Sequence, residues 1–203
     1  MSATGVGCRF LTYLAVAGFG ICMTSCATLQ VPLSPPAFPP GEVLHSSLQG
    51  IDIGVSPIAG KDAYLQLFDE YLPGDGVAAL WVEIHNTRPS AIELRPGNWY
   101  LRIGNQTFPA LRVSEVFERY YRGNRIRMYS VRTDGTARLD MERVTFPPGS
   151  LPQSQKRGGF LFFRIDPAMG ADWNREATLC MHDVRLDRRL KTNLEVALNH
   201  ANP

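Results

Sequence analysis

The stretch Val77-Ala78-Ala79-Leu80-Trp81-Val82-Glu83-Ile84-His85 decides how the rest of the chain is read. Ala78, Leu80, Val82 and Ile84 share one parity, while Trp81, Glu83 and His85 share the other. Strict alternation of this kind describes a half-buried β-strand, because successive side chains leave opposite faces of the backbone. Asn86-Thr87-Arg88-Pro89-Ser90 breaks the strand with turn residues.

Working outward, the same period recurs in short pieces. On the amino-terminal side, Ile51, Ile53 and Val55 alternate within residues 50–58. On the carboxyl-terminal side, Ile92 and Leu94 form a short strand before Arg95-Pro96-Gly97. Trp99, Leu101 and Ile103 then alternate with Tyr100 and Arg102. Gly104-Asn105 follows, a two-residue hairpin signal, with a return strand over 106–111. Residues 125–132 read as a weaker strand, and 143–146 as a short one before the Pro147-Pro148-Gly149 turn. Residues 159–165 are apolar on both parities, which predicts a central strand covered on both sides. Strands over 177–186 and 192–198 close the chain. In the first of these, strict alternation puts Cys180, His182, Val184 and Leu186 on one face, which reads Cys180 as a small core residue. Many short strands with few helices predict an all-β, antiparallel sandwich.

One segment departs from period two. Val113, Val116, Phe117, Tyr120 and Tyr121 fall at helical spacing, with Ser114 placed to cap the start and Gly123 to end the helix. Glu115 with Arg119 and Glu118 with Arg122 add i,i+4 pairs. The expectation is one short added helix over an open end of the sandwich.

The amino terminus is an address. Arg9 is the lone charge in the first 26 residues, and an apolar run from Phe10 to Met23 follows it. That run is short for a membrane span, which needs about 20 apolar residues, and fits a secretory signal. It ends in Met23-Thr24-Ser25-Cys26, which resembles the lipobox of bacterial lipoproteins. The resemblance implies cleavage before Cys26, a diacylglycerol on its thiol and anchoring through several acyl chains, where one chain alone would be marginal. It also implies that Ala27, in place of Asp, directs the protein to an outer membrane. The other reading of residues 1–25 is an uncleaved helical anchor. Either reading places the remainder outside the cytoplasm.

Five prolines between Val31 and Gly41 exclude a helix or an interior strand. Residues 26–45 are therefore read as a lipidated, Pro-rich tether, with a Pro-rich recognition ligand as the alternative, and 46–203 as the folded domain. Cleavage would discard Cys8 and Cys22 and leave Cys180 as the one unmodified thiol, so the fold must rest on apolar packing.

The strand and turn VEIHNTRPSAIELRPGNWYLRIGNQTF (82–108) and the later FPPGSLPQSQKRGGFLFF (146–163) resemble the immunoglobulin-like domains of small secreted bacterial lipoproteins. Those domains often carry a V-x-I-x-N-x-[ST] strand end, a Pro and aromatic segment, and a Pro-Gly turn before a Gly-aromatic strand. The resemblance covers roughly residues 48–198. It implies an Ig-like β-sandwich and brings no catalytic residues with it.

Composition bounds function. The chain has 203 residues, 44% hydrophobic and 20% charged, with a formal charge of +2. This excludes a disordered chain, and it offers no electrostatic basis for nucleic-acid binding. There is no Gly-x-Ser-x-Gly elbow and no phosphate loop. Cys180-Met181-His182 is the one soft-ligand cluster, and copper suits such donors. Arg119, Arg122, Arg125, Arg127 and Arg132 interleave with Tyr120, Tyr121 and Tyr129. Arg and aromatic surfaces are enriched at interfaces and also suit anionic glycans or lipid headgroups, whereas the plainer reading pairs the same arginines with Glu115, Glu118 and Asp134 on a solvated face.

The leading expectation is a non-catalytic, lipid-anchored envelope protein without a cofactor, whose sandwich binds or scaffolds another envelope component. Candidate contacts are Trp81, Tyr100, Tyr120, Tyr121, Arg122 and Arg125; Trp81 and Tyr100 either form a docking face or lie under the helix. The alternative is a periplasmic metal-handling protein or enzyme using Cys180 and His182. A purely structural envelope domain is the third reading.

Overall fold

The computed structural model describes residues 37, 43–123, 131–186 and 190–198. The signal segment, Cys26 and Arg125 lie outside the described residues.

Among the described residues, ten strands form two antiparallel sheets. The four-stranded sheet has β1 (Leu44–Leu48), β2 (Ile51–Pro57), β3 (Val77–Asn86) and β8 (Lys156–Arg164) in that order. The second sheet is built around β9 (Ala177–Arg185). Along one edge β9 takes β5 (Tyr100–Ile103) and, at its end, β4 (Ile92–Leu94). Its other edge takes β10 (Lys191–Ala197). β6 (Gln106–Pro109) pairs with β5, and β7 (Gly149–Leu151) with β4. The expected sandwich is present. The strand that decided the reading, β3, runs centrally between β2 and β8, and Gly104-Asn105 closes the β5–β6 hairpin.

Ala78, Leu80, Val82 and Ile84 pack with Leu161, Phe163, Leu179, Met181 and Trp99 between the sheets, as their parity predicts. The opposite parity meets a second core. Val77, Ala79, Phe160 and Phe162 lie against Tyr64, Phe68, Val116, Phe117, Tyr120 and Met141, all buried. β8 is therefore apolar on both parities because a sheet covers one face and helices cover the other.

Among the described residues three α-helices supply that cover, where the sequence predicted one. α2 (Val113–Gly123) is the expected helix and ends at the expected glycine. Its start is closed by Glu115, whose carboxylate accepts the Arg112 backbone N–H at 2.7 Å, in place of the Ser114 cap foreseen. α1 (Lys61–Phe68) and α3 (Val131–Val144) were not foreseen. α3 overturns the short strand at 143–146, and it begins within the weak strand predicted at 125–132. Ala137, Met141 and Val144 are spaced for one helix face and pack on the second core, which prevails over the local alternation.

β1 starts at Leu44, two residues inside the stretch assigned to the tether. Gln49 and Gly50, both at positive φ, turn it into β2. Asn86 is fully buried where β3 ends. Its side-chain amide donates to the Ser90 and Leu151 carbonyls at 2.9 and 3.0 Å, and its Oδ1 accepts the Arg88 N–H. This ties β3 of one sheet to β7 of the other.

Candidate functional site

The register of the four-stranded sheet generates a groove. Cross-strand neighbours on its outer face fall in rows. Ser56 and Trp81 form one row. His45, Gly54, Glu83 and Gly158 form the next, and Ser47, Asp52, His85 and Lys156 the third. The helices cover the first part of this face and stop at Trp81, whose indole meets Phe160 edge-on with centroids 5.0 Å apart. Beyond Trp81 the face is open, and a groove of about 680 Å³ is lined by Val43, His45, Asp52, Trp81, Glu83, His85 and Lys156 among others. That volume falls within the ~300–1,000 Å³ typical of small-molecule sites.

Two glycines shape the groove. A Cβ on Gly158 would lie 2.9 Å from the indole Cζ2, so the six-membered ring rests over bare backbone. A Cβ on Gly54 would meet Val43 Cγ1 at 3.3 Å and His45 Cε1 at 3.7 Å, so the side chains of Val43, just before β1, and of His45 lean in over that glycine. The polar side chains are paired locally. Lys156 Nζ lies 3.2 Å from Glu83 Oε1. Ser47 donates to Asp52 at 2.7 Å, and His85 Nδ1 lies 3.6 Å from the same carboxylate.

The outer face of the other sheet holds a different cluster. Cys180 is opposite Tyr100 on β5 and Glu195 on β10. Tyr100 Oη and His182 Nε2 share a 2.9 Å hydrogen bond. Arg102 and Glu195 form a two-pronged ion pair at 2.7 and 3.1 Å. Cys180 is fully covered, but beneath this surface layer and not between the sheets. The reason is a β-bulge: His182-Asp183 together face Asn193, with Asp183 at φ 58°. The bulge reverses the parity, so Met181, Val184 and Leu186 face the core and Cys180 faces away. The expectation that Cys180 and Val184 share a face is corrected by this one extra residue. Burial pushes the Cys180 thiol up, with Arg102 pulling the other way. A protonated, covered thiol is a poor nucleophile and a poor metal ligand. Among the described residues, no three His, Cys, Asp or Glu side chains converge to hold a metal ion.

The candidate contacts do not form one patch. Trp81 lies at the groove of one sheet and Tyr100 on the far side of the sandwich. Tyr120 is buried at 1% exposure and donates to Glu70 at 2.9 Å, so its ring belongs to the second core and is not a surface contact. Periodicity placed it on the apolar stripe of α2, a stronger signal than its arginine neighbours. Tyr121 and Arg122 lie on the last turn of α2, and Arg125 lies outside the described residues, as does the lipidation candidate Cys26. The groove residues His45, Ser47, Asp52 and Lys156 had no local signal. Only the pairing of four strands brings them beside Glu83 and His85.

No protein-family model and no curated protein matches the chain. Solved structures with a related course include ycdA of Bacillus subtilis strain 168, a candidate lipoprotein, at 10% identity and TM-score 0.38. That match covers 76% of this chain but 38% of ycdA, so the chain spans well under half of that protein's length. A functionally unknown protein from Listeria monocytogenes EGD-e matches at 10% identity and TM-score 0.42, covering 77% of this chain and 81% of its own. The yjhA protein of Bacillus subtilis matches at 11% identity and TM-score 0.45, covering 77% and 97%. Likenesses this distant assign no function to the chain.

Proposed function

We propose that this chain is a lipid-anchored protein of the cell envelope whose β-sandwich binds another envelope component and performs no chemistry of its own. In this reading the sandwich is of the immunoglobulin-like kind found in small bacterial lipoproteins, Cys26 carries the lipid, and the Pro-rich segment sets the domain off from an outer membrane. The observation that carries the binding role is the groove. A flat indole, two carboxylates, two imidazoles and an ammonium line one open surface of a rigid sheet. Sites supported on strands hold their geometry well. The thiol and imidazole on the other sheet are engaged with neighbours, which favours recognition over the metal-handling alternative.

Anchoring and binding are tested separately. Palmitate labelling of the expressed chain is expected to vanish in Cys26→Ser, and labelling that persists would refute the lipid attachment. A photo-crosslinker placed at His85 in living cells is expected to give a discrete adduct. The same probe at Thr107, on the outer face of the six-stranded sheet, is the control. Equal, diffuse products from both positions would refute the groove as a binding surface.

A further inference from the structure

We infer that the Trp81 groove takes a neutral oligosaccharide, a run of pyranose rings stacked on the indole. This rests on the reading of the groove as a binding surface and specifies its ligand.

Charge favours a neutral ligand. Glu83 is paired with Lys156, and the Asp52 carboxylate accepts from the Ser47 hydroxyl and faces the His85 imidazole, so each carboxylate of the groove already has a polar partner and at most one net negative charge remains to select an ion. A strongly charged ligand would have to break one of these pairs. Hydrogen-bonding type points the same way. Carboxylates accept, the ammonium donates, and imidazoles and the Ser47 hydroxyl do both. Sugar hydroxyls also donate and accept, so a polyol can match a mixed wall that a purely donating or purely accepting ligand cannot.

The shape of the groove suits a sugar ring. The glycine at 158 lets the indole ring rest over the sheet backbone, beside the polar rows. A pyranose offers an apolar face of C–H bonds and a polar rim, which fits an aromatic plate bordered by polar side chains. The groove crosses four strands, about 14 Å at the usual strand spacing, which is longer than a single ring. A common rival fits this face less well. Across the groove the main-chain N–H and C=O groups of β2 and β3 are used by neighbouring strands, so a peptide lying over the rows gains no strand-addition hydrogen bonds, and that mode is open only along the outer edge of β1.

The structure also supplies the assay. Trp99 and Trp173 are each about 1% exposed, which leaves Trp81 as the tryptophan a groove ligand can touch. Full-length protein, held in a detergent without a sugar headgroup, is titrated with chitotetraose and with maltotetraose while tryptophan emission is followed. A saturable change with at least one of them is expected, and it should disappear in Trp81→Phe. Because that variant also removes the reporter, Gly158→Ala is measured by calorimetry. Its new methyl, 2.9 Å from the indole Cζ2, displaces the ring, and affinity should fall about tenfold; because Trp81 also packs on Phe160, a denaturation curve of the variant checks that the fold is retained. Absence of binding to both sugars, or unchanged affinity in Gly158→Ala, would overturn the oligosaccharide assignment. If the His85 crosslinker still captures a discrete partner in that case, the binding role survives without the sugar. If it does not, both fail together.

Discussion

The outer face of the four-stranded sheet has two halves, made by the same strands and finished differently. At one end Val77 and Ala79 of β3, with Phe160 and Phe162 of β8, are sealed under three helices. At the other end Glu83 and His85 of β3, with Lys156 of β8, stand open around a groove. Trp81 sits on the boundary, with its edge on Phe160 and its ring over Gly158. The difference lies in side-chain chemistry along a single alternating parity. Where that parity is apolar, it recruits a second core; where it turns polar, the helices stop. One half contributes stability and the other is free for recognition.

This contrast can be broken by substitution. The largest effect is expected from Phe68→Ala. Phe68 is fully buried and packs edge-on against Phe160 and Phe162, with centroids 5.3 and 6.1 Å away. Losing the ring should cost about 3–5 kcal/mol in a chemical-denaturation measurement. A loss below about 1 kcal/mol would mean the helices are ornamental to the fold.

A middle-sized effect is expected from Tyr64→Phe. After Pro57 the chain leaves the sheet, and the Ala79 N–H donates to the Tyr64 hydroxyl at 2.9 Å. Burial raises the Tyr64 hydroxyl well above the usual phenol range, so it stays protonated. Removing that oxygen orphans a buried backbone donor and should cost about 1–3 kcal/mol with the ring retained. Hydrogen exchange should report the same weakness at Ala79, and unchanged protection there would contradict the assignment.

The smallest effect on stability belongs to the open half. Glu83→Gln removes an ion pair whose partners are 49% and 62% exposed, and surface pairs of this kind contribute under about 1 kcal/mol. Stability should be nearly unchanged. A large loss would show that the groove is structural and would erase the distinction between the halves.

Much of this was legible locally. β2, β3, the β5–β6 hairpin, β8 and β10 follow from alternation and turn residues, and α2 follows from its 3.6-residue spacing. α1 was readable in principle, since Tyr64 and Phe68 are four apart and both buried. α3 was concealed by the alternation in Arg143-Val144-Thr145-Phe146, which mimics a strand end. β1 was concealed because it follows a proline-rich segment and has only two apolar residues, Leu44 and Leu48, which are half-buried. The bulge at Asp183 was not legible at all. An extra residue shows itself only when the partner strand reveals that two positions face one.

The sequence by itself determined the periods: which residues of β3 face the inter-sheet core, that β8 is covered twice, and that residues 113–123 form a helix. It also carries the lipobox-like tetrad at Cys26, whose reading depends on contiguous residues. Only the tertiary structure decided which polar residues meet. His45, Asp52, Glu83 and Lys156 come from four strands up to 111 positions apart in the chain, and their proximity is a matter of register. Register is set by cross-strand pairing and by the burial of one face, neither of which is local. The same physics moved Tyr120 from the surface to the core and Cys180 from the core to the outer layer.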